Sequence, residues 1–101
     1  MHAQITQLTP AQAADRTEAV LLDVREADEL AEGRIAGSTH IPLGQLPDRA
    51  VELDRSRPVI TVCRSGGRSA QAARFLARQG FDVANLDGGM TRWIAEGRPA
   101  S

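Results

Sequence analysis

One stretch restricts the fold of this chain more than any other: the apolar run at residues 58–63, PVITVC, together with the segment at 69–79 that follows it. The run is rich in β-branched residues and lies between Pro and Gly positions, which is typical of a buried strand. In the second segment, Gln71, Arg74 and Arg78 form a polar stripe beside an apolar face. This pattern predicts a helix that packs on a sheet and ends at a glycine.

Other apolar runs extend the same organisation. Residues 19–24, AVLLDV, form a continuous apolar run, as expected for a strand covered on both faces. Three weaker runs bring the sheet to about five strands: residues 5–8 at an edge, 39–41 and 81–86. Further helices are predicted after the capping box of Thr9, Pro10 and Gln12, and at 27–32, 47–53 and 90–96. Strands and helices in alternation predict an α/β fold with a mainly parallel sheet flanked by helices on both faces.

Composition limits the function classes. With 101 residues, 42% of them hydrophobic, we expect one domain over 1–101. The 12 basic and 13 acidic residues are interspersed, so we expect no nucleic-acid face, and no apolar run reaches the roughly 20 residues that span a bilayer. The chain has a single cysteine, and we find no secretion signal in MHAQITQLTP and no heptad pattern. From these features we expect a cytoplasmic monomer.

The loop after the strongest strand carries the chemistry. In parallel sheets, ligands bind where strands end and helices begin, and this strand ends at Cys63. Gly66 and Gly67 allow successive backbone N–H groups to turn inward and bind an anion. The helix N-terminus adds further N–H groups, and Ser69 is expected to act as its N-cap or to donate from its hydroxyl.

Such surroundings predict a thiolate at Cys63. Thiols at helix N-termini or beside Arg have lowered pKa values, and Arg64 and Arg68 are suited to hold a tetrahedral oxyanion. Single cysteines are more often packing residues than nucleophiles. The sequence Arg-Ser-Gly-Gly-Arg-Ser after Cys63, however, offers little apolar surface to pack against, which favours a nucleophile.

Two residues at another strand end have alternative roles. Asp23 and Arg25 follow the run LLDV, which a parallel sheet places at the same edge as Cys63. They either orient the active-site loop from behind or form a surface pair, as Asp23 with Arg25 or as Arg25 with Glu29. The two histidines, His2 and His40, lie in no motif that directs them at the thiol, so we expect surface or structural roles.

Three separated motifs resemble those of the rhodanese family of sulfurtransferases: LLDVREADEL, PVITV followed by CRSGGRS, and LDGGMTRW. The resemblance covers nearly the whole chain. It implies that Cys63 takes a sulfane sulfur from a small anionic donor such as thiosulfate, holds it as a persulfide, and passes it to cyanide, a thiol or a protein acceptor. The donor would bind to six loop residues, which are Arg64, Ser65, Gly66, Gly67, Arg68 and Ser69. No metal and no organic cofactor are implied.

Two rival functions remain open at this level. One is a sulfur-carrier or regulatory module that acts on a protein partner. The other is a cysteine phosphatase or arsenate reductase, in which five residues separate Cys from Arg, whereas four separate Cys63 from Arg68. The chain departs from the family at Arg34, where His is usual, and at Ser38, where Ala is usual. We expect both to be structural, as we do Trp93 in the core and the tight turn at Gly88 and Gly89.

Overall fold

The computed structural model describes residues 4–101. In this part of the chain the strands are β1 (Thr6–Leu8), β2 (Val20–Asp23), β3 (Thr39–His40), β4 (Val59–Val62) and β5 (Val83–Leu86). The α-helices are α1 (Pro10–Asp15), α2 (Leu46–Arg49), α3 (Gly67–Arg78) and α4 (Gly89–Ala95). Short 3-10 helices cover Ala27–Glu32, Leu43–Gln45 and Ala50–Glu52. Among residues 4–101, no helix is both long enough and apolar enough to cross a bilayer.

All strand pairs of the sheet are parallel, in the order β1-β5-β4-β2-β3. Strand β4 lies at the centre, and each of its four residues is buried, as the PVITVC run predicts. Because all strands run the same way, their C-terminal ends meet at one edge, where β2 ends at Asp23 and β4 ends next to Cys63.

Successive β4 residues pack into two separate apolar clusters, one on each face of the sheet. Val59 belongs to the cluster that contains Ala72 and Leu76 of α3. Ile60 belongs to the cluster that contains Met90 and Trp93 of α4, with Ala13 of α1 beside them. Since side chains alternate between faces along a strand, helices cover both faces of the sheet. The predicted α/β fold and the core position of Trp93 are confirmed.

The capping box at Thr9 forms as predicted, with the Thr9 side chain accepting from Gln12 N–H at 3.1 Å. Three predicted helices differ from the structure in type or in starting residue. The helix predicted over 47–53 is instead one α-turn followed by a 3-10 turn, and the segment at 27–32 is a 3-10 helix. Helix α3 begins at Gly67, before the predicted residue 69, because Gly66 takes a left-handed conformation (φ +110°) and turns the chain sooner.

Candidate active site

Cys63 is the first residue after β4, and the loop through Gly66 leads directly into α3. The N–H of Gly66 donates to the Cys63 Sγ at 3.0 Å, and the Ser69 hydroxyl donates to the same sulfur at 3.2 Å. The backbone N–H groups of Ser65 and Ser69 also act on the sulfur. We call these donors the thiol cradle: the N–H groups of Ser65, Gly66 and Ser69, and the Ser69 hydroxyl.

Of the two roles predicted for Ser69, that of helix N-cap is wrong. The N-cap of α3 is Gly66, and Ser69 lies inside the first turn. Its hydroxyl therefore points back at the Cys63 sulfur and performs the second predicted role, that of a donor.

The thiol is much more buried than its sequence neighbours suggest. Cys63 is 1% exposed and packs in the apolar cluster on the α3 face. The expectation that it has little apolar surface to pack against was wrong, because residues distant in sequence, such as Leu22 and Val24 of the β2 region, supply that surface. Burial raises the pKa of the Cys63 thiol, but hydrogen bonds from Ser69, Gly66 and Ser65 outweigh it and lower the pKa below its ordinary value.

Helix α4 holds the loop in this orientation. Its first turn donates two backbone N–H groups, from Met90 to the Cys63 carbonyl at 2.8 Å and from Thr91 to the Arg64 carbonyl at 2.9 Å. A Cβ on Gly89 would lie 2.6 Å from the Arg64 carbonyl oxygen and closer still to that of Cys63. Since the loop carbonyls face α4, the loop N–H groups are left to face the sulfur. The sequence indicated only a tight turn here, and both of its glycines have positive φ, but the contact of Gly89 with the active-site loop was missed.

Two buried polar residues support the same loop. Thr61 is fully buried, and its hydroxyl donates to the Ser69 carbonyl at 2.9 Å. The Asn85 amide donates to the Gly66 carbonyl at 3.3 Å and to the Gln7 side chain at 2.9 Å. Sequence analysis named neither Thr61 nor Asn85. The available signal was a polar side chain in the middle of a strand predicted to be buried, where each polar group needs a partner.

Both loop arginines are paired with carboxylates. Arg68 binds Glu29 in a bidentate manner, at 2.5 and 2.7 Å. Arg64 lies 3.5 Å from Glu29 through Nε and 2.5 Å from Glu32 through Nη2. We call these four side chains the charged rim. The hydrogen bond from Arg68 lowers the pKa of Glu29 to about 2, although its partial burial acts in the opposite direction. From the sequence we expected the two arginines to bind a substrate oxyanion, and neither glutamate was predicted as their partner.

Asp23 and Arg25 form a buried ion pair behind the rim. Their side chains are each 2% exposed, with Arg25 Nη2 2.7 Å from Asp23 Oδ2, so the surface-pair alternative is wrong. Arg25 also donates to the carbonyls of Glu29 at 3.2 Å and Gly33 at 2.9 Å. The pair thus fixes the 3-10 helix that carries Glu29. The hydrogen bonds that Arg25 donates to Asp23 raise the pKa of Arg25 above its ordinary value, although burial acts in the opposite direction.

The remaining predicted residues have structural contacts. His40 places Nε2 2.7 Å from the Arg25 carbonyl, which agrees with a structural role, whereas His2 lies outside the described residues. Arg34 donates to the Ser38 carbonyl at 2.9 Å. Within residues 4–101, no group of three or more His, Cys, Asp or Glu side chains is arranged to hold a metal ion.

Comparisons with known proteins agree on one family. The sequence profile of the rhodanese-like domain matches residues 9–96. The chain is 37% identical to "Putative sulfurtransferase YtwF" of Bacillus subtilis (strain 168), over 95% of this chain and 97% of that one. It is 41% identical to "Thiosulfate sulfurtransferase GlpE" of Stutzerimonas stutzeri (strain A1501), over 74% of this chain and 70% of that one. A crystal structure of a rhodanese-related protein from Thermoplasma volcanium superimposes with a TM-score of 0.92 at 34% identity, covering 95% of this chain and 97% of its own.

Proposed function

The chain belongs to the rhodanese-like domain family, and from this premise we propose that it is a sulfurtransferase that carries a sulfane sulfur on Cys63. The donor is a small anionic sulfane-sulfur compound, of which thiosulfate is the simplest. The acceptor is an external thiophile, because the chain has one cysteine and therefore no second thiol to resolve a persulfide.

The observation that carries this proposal is the thiol cradle. Hydrogen bonds from the Gly66 N–H and the Ser69 hydroxyl, at 3.0 and 3.2 Å, favour the thiolate form of a sulfur that burial alone would keep protonated. The thiolate is the nucleophilic form of cysteine. Fixed donors stabilise its charge without reorganising during the reaction, as in other preorganised sites.

The reaction consists of two displacements on sulfur. In the first, the Cys63 thiolate attacks the outer sulfur of thiosulfate; a new S–S bond forms, the original S–S bond breaks, and sulfite leaves with the electron pair. In the second, cyanide or a thiolate attacks the outer sulfur of the persulfide, and Cys63 leaves as the thiolate. No outside oxidant or reductant is needed. Sulfite is a good leaving group, so the site needs no general acid, and no histidine of residues 4–101 contacts the thiol.

Two rivals make different predictions. A sulfur-carrier module would load sulfur on Cys63 and release it only to a specific protein. A cysteine phosphatase would need a loop that wraps a whole phosphate, whereas only four residues separate Cys63 from Arg68, and Arg68 is paired with Glu29.

Intact mass spectrometry and a turnover assay test the proposal together. Incubation with thiosulfate should add one sulfur atom to the protein, and cyanide should remove it as thiocyanate with continued turnover. Cys63→Ser should lose both signals completely, and Ser56→Ala, which alters an exposed serine in the turn before β4, should keep both. Loading without turnover would favour the carrier. Cys63-dependent hydrolysis of p-nitrophenyl phosphate would favour the phosphatase, and loading that persists in Cys63→Ser would refute the proposal.

A further inference from the structure

Glu29 is held rigidly at the edge of the site. Its Oε1 accepts the Glu26 N–H at 2.9 Å, which closes a capping box on the 3-10 helix Ala27–Glu32. Its carbonyl accepts from Arg25, which is itself fixed by the buried pair with Asp23. The Glu29 side chain is only 13% exposed. The carboxylate is therefore fixed by backbone and buried contacts and is not free to swing away from an incoming ligand.

The charges of the rim balance each other. Two guanidinium groups, Arg64 and Arg68, face two carboxylates, Glu29 and Glu32. A donor that approaches Cys63 thus meets a rim without net charge and then a thiolate. The pKa of Arg68 is raised chiefly by the hydrogen bond that it donates to Glu29, and the charge of the Cys63 thiolate raises it further, so the rim and the sulfur interact electrostatically. With its pKa held at about 2 by Arg68, Glu29 stays ionised throughout the neutral range.

We infer that Glu29 is a specificity-determining residue whose charge lowers the efficiency of doubly charged thiosulfate relative to that of singly charged organic thiosulfonates. This inference rests on the proposed function. A fixed carboxylate repels a dianion about twice as strongly as a monoanion at the same distance. It also occupies the Arg68 donors that would otherwise bind the oxygens of the donor molecule.

The two donor types undergo the same reaction and differ mainly in charge. In each, the Cys63 thiolate forms a bond to the outer sulfur while the adjacent S–S bond breaks. Thiosulfate releases sulfite with the electron pair, and benzenethiosulfonate releases benzenesulfinate. The organic group changes the fit of one donor, but that effect cancels when a variant is compared with the unaltered protein for both donors.

The experiment measures kcat/KM for thiosulfate and for benzenethiosulfonate in the full chain and in Glu29→Gln, with cyanide as acceptor. Glutamine keeps the size of the side chain, and its one oxygen can still accept from the Glu26 N–H and from one Arg68 N–H. The change therefore removes the charge and the second Arg68 hydrogen bond. We expect the ratio of thiosulfate to benzenethiosulfonate efficiency to rise about fivefold, through KM rather than kcat, and the rise to shrink at high salt.

The matched control is Glu52→Gln. It removes the same charge from an exposed Arg49 pair at 2.9 Å outside the site, so its donor ratio should not move. A purely structural role of Glu29 would lower both efficiencies in Glu29→Gln together and leave their ratio unchanged. An unchanged or lower ratio, with normal sulfur loading of Cys63, overturns this inference alone. Absence of loading by either donor in the unaltered protein overturns the proposed function and this inference with it.

Discussion

The thiol cradle and the charged rim both include residues of the segment that follows Cys63, and they are built in opposite ways. The cradle consists mainly of backbone N–H groups around a thiol that is 1% exposed. The rim consists of long side chains, and its two arginines are 52% and 38% exposed at the side chain. Buried donors act in a low dielectric and are unscreened, whereas exposed ion pairs are weakened by water and salt.

This difference separates two properties of the site. The Ser69 hydroxyl is the largest single contribution that favours ionisation of Cys63, but the other three donors are backbone N–H groups that no side-chain substitution removes. Ionisation is therefore tied in part to the fold of the loop. Donor selection depends on charges that a single substitution can change. The supports differ correspondingly: α4 holds the cradle through backbone contacts with Gly89, and the Asp23–Arg25 pair holds the rim.

The largest effect is expected where the support of the rim is broken. Asp23→Asn leaves the charge of Arg25 buried without its counter-ion, and we expect a loss of about 3–5 kcal/mol in the free energy of unfolding. Denaturant titration at neutral pH measures it. Asp87→Asn is the matched control, because Asp87 pairs with Arg92 at 2.9 Å on the surface, and its loss should stay below about 1 kcal/mol. Equal losses in the two variants would mean that burial does not distinguish the two pairs.

The support of the cradle should respond differently, with a loss of catalysis as well as of stability. Gly89→Ala places a methyl group against the Cys63 and Arg64 carbonyls at φ +56°, and we expect about 1–3 kcal/mol of destabilisation. We also expect persulfide formation to slow by at least about tenfold, since about 1.4 kcal/mol of lost transition-state stabilisation corresponds to that factor.

Gly97→Ala separates strain from contact in this prediction. Gly97 has φ +76°, but a Cβ there would meet nothing within 4 Å. It should lose stability from backbone strain alone and keep its rate of persulfide formation. If the two variants lose activity to the same extent, contact of Gly89 with the loop is not what orients the cradle.

The smallest of these effects concerns the one side-chain donor of the cradle. Ser69→Ala removes the hydroxyl bond to Sγ that favours the thiolate, so we expect the pKa of Cys63 to rise. We expect the rate of persulfide formation at neutral pH to fall by up to about tenfold, about 1.4 kcal/mol. Because the thiolate is the reactive form, the rate of persulfide formation rises with pH through this pKa, and the variant's profile should shift to higher pH. Titration of the thiolate by its ultraviolet absorbance measures the midpoint.

Ser65→Ala is the counterpart, since Ser65 acts on the sulfur through its backbone N–H, which alanine retains. Its midpoint should stay where it is in the unaltered protein. A large shift in Ser65→Ala, or none in Ser69→Ala, would contradict the division of the cradle into backbone and side-chain donors.

Much of the fold and part of the site could be predicted because their signals are local. Strand β4, helix α3 and the capping box at Thr9 could each be predicted from side-chain period, β-branching or turn chemistry within a few residues. The family predicted from three motifs is confirmed by the match over residues 9–96. The position of Cys63 at a strand end follows from the same local signals.

Other parts of the site could not be predicted because their partners are far apart in the chain. Glu29 and Arg68 are 39 positions apart, and no periodicity relates them. The contact of Gly89 with the active-site loop likewise depends on how α4 packs, which a turn signal does not report.

The sequence by itself determined the layered α/β fold, the glycine-containing loop and the thiol at its start, because backbone preferences and hydrophobic period act over a few residues. Only the tertiary structure decided how deeply the Cys63 thiol is buried and which carboxylates meet Arg64 and Arg68. Burial and charge pairing depend on distances through space, and the order of strands in the sheet sets those distances.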